Sequence, residues 1–280
     1  MQEWIWRDVR LEIPGDWEML QFSRARDKGR CAYADRRQFR LELSWRQVKG
    51  APDFPRMMAD YKARLESAGE LQDAHTFTLS GWHGLAGMQK NLRVSRFGNY
   101  FDKENLLAEL VFLWPDKRDI PLENDILQSC RYAPPENGFR KIKAFGMSCR
   151  SPEKYEFTAC SVQPAMAAMV FSGARRPARI RLQRLGMVPQ WLDQPLTTWA
   201  GTQLPKEARN PDFESRSRNG HEIVTAKADY APRGFLIRKG LYAASAWICP
   251  KDGRLYHAEQ ICRSAKDIVN HPLDCCGGMS

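Results

Sequence analysis

A repeat limits what this chain can fold into more than any other feature. Arg36-Arg37-Gln38-Phe39-Arg40-Leu41-Glu42-Leu43 returns as Arg175-Arg176-Pro177-Ala178-Arg179-Ile180-Arg181-Leu182, 139 positions later (175 − 36). An RRxxR run is common in a basic protein, but other landmarks recur at nearly the same spacing. Pro14 and Trp17 match Pro152 and Tyr155, Tyr61 matches Trp199, Leu65 matches Leu204, and His83 matches His221. Trp114 with Trp247 and Cys130 with Cys262 fall at a slightly smaller offset, as one shortened loop would produce. The pattern predicts a tandem duplication of one unit of roughly 130–140 residues.

The prolines and glycine of Ala133-Pro134-Pro135-Glu136-Asn137-Gly138 mark the joint between patterned segments. The expected organisation is a first repeat over 1–133, a linker over 134–138, a second repeat over 139–268 and a Cys/Gly tail over 269–280. In the first repeat, alternation predicts strands at 9–13 and 39–45, where Phe39, Leu41, Leu43 and Trp45 share one face. Asp53 caps a helix with Pro55 in its first turn, and Phe54, Met57, Met58, Tyr61 and Leu65 form its apolar stripe. Strands at 75–80, 85–94 and 106–114 follow, then a short helix ending near Cys130. The second repeat reads in the same order, with a helix near 193–204, strands at 221–229, 234–238 and 241–249, and a last helix at 255–268. The expected fold class is α+β, two copies of an antiparallel sheet with packed helices.

The order resembles the PsbP-like and DcrB-like superfamily. The residues that carry the likeness are the opening Ile13-Pro14-Gly15-Asp16-Trp17, the Gly81-led meander and the closing Asp125-Ile126-Leu127-Gln128-Ser129-Cys130. The superfamily includes photosystem extrinsic proteins, bacterial lipoproteins, a Ran-binding nuclear import factor and cytosolic chaperones for secretion effectors. Its members mostly bind partners, so the resemblance implies an adaptor or chaperone and carries over no catalytic residue.

Charge separates the two repeats. Residues 1–133 hold 21 basic and 20 acidic side chains; residues 134–280 hold 22 and 13. The second is the half expected to meet an anion. Arg175, Arg176, Arg179, Arg181 and Arg184 crowd its copy of the motif, and Arg181 replaces Glu42. They are the expected docking site for an acidic protein partner, with nucleic acid as the alternative.

No P-loop, HExxH or GxSxG motif occurs. The Gly-rich stretch 81–87 lacks dinucleotide-binding spacing and reads as a turn. His83 and His221 sit at matching places and read as turn histidines inherited through duplication, with paired acid–base groups as the alternative. Cys262, His271, Cys275 and Cys276 gather thiols and an imidazole, which suit zinc or copper(I), although adjacent cysteines strain a tetrahedral site. The other cysteines read as buried thiols, Gly277-Gly278 as an inert end. No run approaches a membrane span, and Met1-Gln2-Glu3-Trp4-Ile5-Trp6 is not a signal peptide. The function these readings favour is a non-enzymatic, cytoplasmic binding protein, with a thiol or metal protein as the alternative.

Overall fold

The computed structural model describes residues 1–175, 177–232 and 239–276. The chain divides into two compact units, Met1–Ala133 and Pro134–Ser280.

Unit 1 runs β1 (Gln2–Trp6), β2 (Val9–Ile13), β3 (Glu18–Phe22), β4 (Lys28–Ala34), β5 (Phe39–Gln47), α1 (Phe54–Ser67), β6 (Gln72–Leu79), β7 (Trp82–Gln89), β8 (Leu92–Phe101), β9 (Leu106–Trp114), α2 (Ile120–Ser129) and β10 (Arg131–Tyr132). Unit 2 runs β11 (Phe139–Ala144), β12 (Met147–Pro152), β13 (Tyr155–Gln163), β14 (Met166–Gly173), β15 (Arg179–Leu185), α3 (Val188–Trp191), α4 (Leu196–Thr202), β16 (Ala208–Arg218), β17 (His221–Tyr230), β18 (Gly240–Ile248), β19 (Leu255–Cys262) and β20 (Leu273–Asp274).

The seven-stranded sheet of unit 1 has the order β3-β4-β5-β9-β8-β7-β6, and that of unit 2 the order β13-β14-β15-β19-β18-β17-β16. These are the same order, as a duplicated unit requires. Each unit adds a small antiparallel ribbon. In unit 1, β2 pairs with β1 and β10; in unit 2, β12 pairs with β11 and β20.

Strand makes up 54% of the structure and helix 15%, so the fold is β-rich and the expected α+β class with packed helices is wrong. Three segments account for the error. Residues 255–262, expected as helix, form β19, every residue of which is buried. A strand buried on both faces has no alternation, and periodicity cannot tell it from a buried helix. The region read as one strand at 85–94 is a hairpin that turns at Lys90 and Asn91, both at positive φ. The third segment, β16, is exposed along its length and charged, with Pro211 at a register shift, so no apolar pattern betrays this edge strand.

Strand pairing also corrects the later matches between repeats. Leu85 lies opposite Arg96, and Val224 lies opposite Ala246. Trp247 therefore stands where unit 1 has Phe97 rather than Trp114, and Cys262 ends β19 whereas Cys130 follows α2. The connection between β17 and β18 is longer than the β7–β8 turn, so the offset grows rather than shrinks. His83 and His221 are one position out of step. In the hairpin registers His221 takes the place of Trp82, on the opposite sheet face from His83. The expected strand at 234–238 lies outside the described residues.

In unit 1 one face of the sheet is covered by the ribbon and α2. Trp6 meets Phe22, Trp4 meets Tyr33 and Trp17 meets Trp114 at ring distances of 5.2, 5.6 and 6.4 Å. Helix α2 is fixed there by Glu123, a fully buried carboxylate that accepts from Trp114 Nε1 (2.7 Å), Arg118 Nη2 (2.6 Å) and Ser95 Oγ. On the other face α1, capped by Asp53 as expected, packs mainly over β6 and β7. In unit 2 the corresponding face carries α3 and α4, whose Val188, Trp199 and Ala200 close a dry cluster with Val224, Ala246 and Leu255.

Candidate metal centre

Among the described residues, one group of His, Cys and carboxylate side chains converges. The ligand atoms of His221, Cys249, Cys275 and Cys276 all lie within 4.8 Å of one another. Three different parts of unit 2 supply them. His221 opens β17 after the Asn219-Gly220 turn, both residues at positive φ. Cys249 follows the last residue of β18 and begins the sharp turn Cys249-Pro250-Lys251-Asp252-Gly253. There Gly253, at φ +67°, donates its N–H to the Cys249 carbonyl at 2.8 Å. Cys275 and Cys276 follow β20.

The short last strand is what brings the tail into place. Leu273 and Asp274 pair with Cys149 and Ser148. The Arg150 N–H donates to the Pro272 carbonyl at 2.9 Å, and its guanidinium donates to the carbonyls of His271 and Asn270. The tail expected to be a loose end is thus tied down as far as Cys276; Gly277-Gly278 lies outside the described residues.

The separations among His221, Cys275 and Cys276 match a tetrahedral ion. Bonds of ~2.3 Å to sulfur and ~2.0–2.1 Å to nitrogen put two sulfurs ~3.8 Å apart and a sulfur and nitrogen ~3.6 Å apart. Cys275 Sγ and Cys276 Sγ are 3.7 Å apart. His221 Nε2 lies 3.3 Å from Cys275 Sγ and 3.6 Å from Cys276 Sγ. Both adjacent cysteines therefore reach one point, and the strain expected of a Cys-Cys pair does not keep them apart.

The surroundings suit thiolates. The His221 Nδ1–H donates to the Asn219 carbonyl at 3.1 Å, which leaves Nε2, with its lone pair, turned to the sulfurs. Trp247 Nε1–H donates to Cys275 Sγ at 3.3 Å. The backbone amides of Lys251 and Asp252 beside the Cys249 sulfur favour its thiolate form. With no ion, burial dominates: the Cys275 thiol is pushed up to about 12, with the Trp247 bond pulling it down, and Cys249 is also raised. A divalent cation among them reverses that balance, because a coordinated thiol gives up its proton.

Two of the four expected ligands are elsewhere. Cys262 is buried in β19 with its Sγ–H toward the Ser264 carbonyl (3.2 Å), and burial raises it to about 11. The His271 ring lies against Arg218 Nη1 at 2.6 Å, and burial and the nearby Arg218 hold its pKa below the ordinary histidine value. The ligands that sequence reasoning missed are His221 and Cys249. The Cys-Pro-x-x-Gly turn after a strand was the available signal for Cys249; His221 had only its turn.

The expected arginine face is also redrawn. Arg179 and Arg181 share a face of β15, and their counter-charge lies in the same unit. Glu259 of β19 sits directly opposite Arg181 and takes a 2.5 Å bond from Arg179 Nη2. The acid was invisible while 255–268 read as helix. Arg184 has the opposite parity and faces the other way. Arg175 is exposed in the β14–β15 loop, and Arg176 lies outside the described residues.

No protein-family model matches the chain, and no curated protein matches it. Among solved structures, a protein from Bacteroides thetaiotaomicron VPI-5482 matches with a TM-score of 0.31 at 9% identity, over 49% of this chain and 50% of that one. The chain spans about half the length of the structure it matches. A similarity of that size carries no argument, and it does not bear on the PsbP-like and DcrB-like resemblance. Among the described residues, no helix is long and apolar enough to cross a membrane.

Proposed function

We propose that the chain is a non-enzymatic metal-binding protein, with a zinc ion in unit 2 held by His221, Cys249, Cys275 and Cys276. The observation that carries this is the convergence of the four ligand atoms within 4.8 Å of one another, with the separations among His221, Cys275 and Cys276 close to those of a tetrahedral ion. Zinc is favoured over harder ions because three of the donors are sulfur and the fourth is imidazole. Copper(I) shares the preference for thiolate but has less use for a fourth ligand. Four protein ligands leave no position for water or substrate, so the ion would fasten chain segments rather than activate a nucleophile. It would clamp the C-terminal tail to the turn before β17 and the turn after β18. Native mass spectrometry of protein purified without added metal tests this. One zinc per chain is expected, lost when Cys249 is changed to Ser. A metal-free chain that takes up no zinc on titration refutes the proposal.

A further inference from the structure

Unit 1 has an open cleft at a place its twin fills. Helix α1 covers mainly the β6–β7 half of its sheet face, and beside it lies a cleft of about 810 Å³. Its floor is the outer half of the same face. Pairing and parity put Arg46, Leu107, Val111, Arg96 and Gly98 there. Its wall is α1, with Met57, Tyr61 and Arg64 turned inward. This volume suits a small organic ligand.

In unit 2 the same half of the face is filled. The register equivalents of Arg96 and its cross-strand partner Val111 are Ala246 and His257. Trp199 stands edge-on to His257 at 5.3 Å and belongs to the dry cluster with Ala246 and Leu255. One unit plugs the position with tryptophan; the other leaves it open and lines it with arginine.

The charges in the open cleft are unbalanced. The guanidinium of Arg64 lies 4.9 Å from the centre of the Tyr61 ring, and that of Arg96 lies 5.8 Å from the same centre. Two cations share one aromatic ring. Among the described residues neither makes an ion pair. Arg96 donates only to the neutral Gln89 Oε1 at 2.9 Å, and its Nε–H is buried with no acceptor. A buried donor without a partner is costly. The acids that line the cleft are otherwise engaged: Asp53 caps α1, Asp60 faces Arg56, and Glu109 accepts from Ser44. Arg46 and Lys28 add positive charge at the rim. This concentration stands out in a unit whose 21 basic and 20 acidic residues nearly cancel.

We propose that this cleft binds a small organic anion, a carboxylate or phosphate joined to a flat apolar body. Arg64 and Arg96 hold the anion. Tyr61, Met57, Leu107 and Val111 hold the body. The planar guanidinium fork matches either oxyanion, and Tyr61 offers its ring to an apolar group between the two cations.

Calorimetric titration of the full chain with 2-naphthoate, 1-naphthyl phosphate and neutral 2-naphthol tests the proposal. Saturable one-to-one binding of at least one anion is expected, with 2-naphthol at least tenfold weaker. Arg96→Gln and Arg64→Gln should each weaken the anion tenfold or more while the melting temperature holds. If Arg96→Gln does not fold, Arg64→Gln carries the test, because Arg64 is exposed on the helix. Val111→Trp, which fills the cleft with an indole from the sheet side, should abolish binding. Zinc removal should leave binding unchanged, which separates this site from the metal centre. The proposal is overturned if neither anion saturates, if 2-naphthol binds as well as the anions, or if Arg64→Gln binds like wild type. A chain that binds only an acidic peptide such as oligoglutamate overturns it as well.

Discussion

Removing one sulfur from the cluster should uncouple metal from stability. In the Cys249→Ser variant the turn after β18 keeps its Gly253 N–H to Cys249 carbonyl geometry, since that bond uses backbone alone. What is lost is one of four ligands. An ion that binds only the folded unit stabilises it by about 2.7 kcal/mol when free zinc is a hundredfold above its dissociation constant. For a chain of this size 1 kcal/mol moves the melting temperature by ~2–4 °C, so zinc should raise it by ~5–10 °C in the wild type. The variant should show little of that rise. Protons give the effect a signature. Burial raises the thiols of Cys249 and Cys275 above the ordinary value of 9.0, so at neutral pH these two thiols are protonated in the metal-free site. Zinc must expel those two protons, so its affinity should fall steeply with acid. A raised thiol pKa also means that the metal-free fold has this stability below pH 9 and loses it as pH climbs toward 12. Zinc, which holds the thiolate form, should remove that alkaline loss. Differential scanning calorimetry with zinc and with chelator, from about pH 6 to pH 10, reads all of this. A zinc shift of equal size in wild type and Cys249→Ser, or one that grows as pH falls, refutes the reasoning.

Three further outcomes follow from buried groups. Glu123→Gln should destabilise unit 1 by roughly 2–4 kcal/mol, because it leaves the Arg118 guanidinium without its carboxylate; urea denaturation followed by tryptophan fluorescence checks this. His257, buried against Trp199, has its pKa lowered to about 4. Stability tied to its neutral form is therefore present above pH 6.5 and is lost as pH falls from there toward 4, by ~3 kcal/mol in all. The acid limb of a stability–pH curve should flatten in His257→Gln. Arg179→Gln should cost roughly 1–2 kcal/mol, discounted because Arg179 is 44% exposed while Glu259 is buried. A variant that melts like wild type would return Arg179 to the pool of surface charges open to a partner.

The repeat was legible because turns and caps are local. Asp53, Pro55 and the alternation in 39–45 announce the same elements the structure contains. What was not legible depends on contacts distant in sequence. β19 is covered on both faces, so all eight of its residues are buried and nothing in its spacing says strand. That one segment also hid Glu259, and with it the partner of Arg179. The metal centre was half visible. Cys275 and Cys276 stand out in a polar tail, but His221 and Cys249 reach them only because β20 pairs with β12 and turns the tail back. Cys262 and His271 lie nearer in sequence and are held away by β19 and Arg218. The unit 1 cleft could not be read at all, because it exists where a helix fails to cover a sheet.

Cobalt(II) absorption is the most direct test of the metal centre, since cobalt takes the zinc geometry and reports its ligands by colour. Titrated anaerobically into the reduced, metal-free chain, cobalt should saturate at one ion. It should give visible bands of a tetrahedral site and an ultraviolet thiolate-to-metal band that zinc then displaces. The spectrum should persist in Cys262→Ala and His271→Ala and vanish in Cys249→Ser and His221→Ala. Bands that survive the loss of Cys249 and His221 but disappear with Cys262 and His271, or no tetrahedral bands at all, contradict the account.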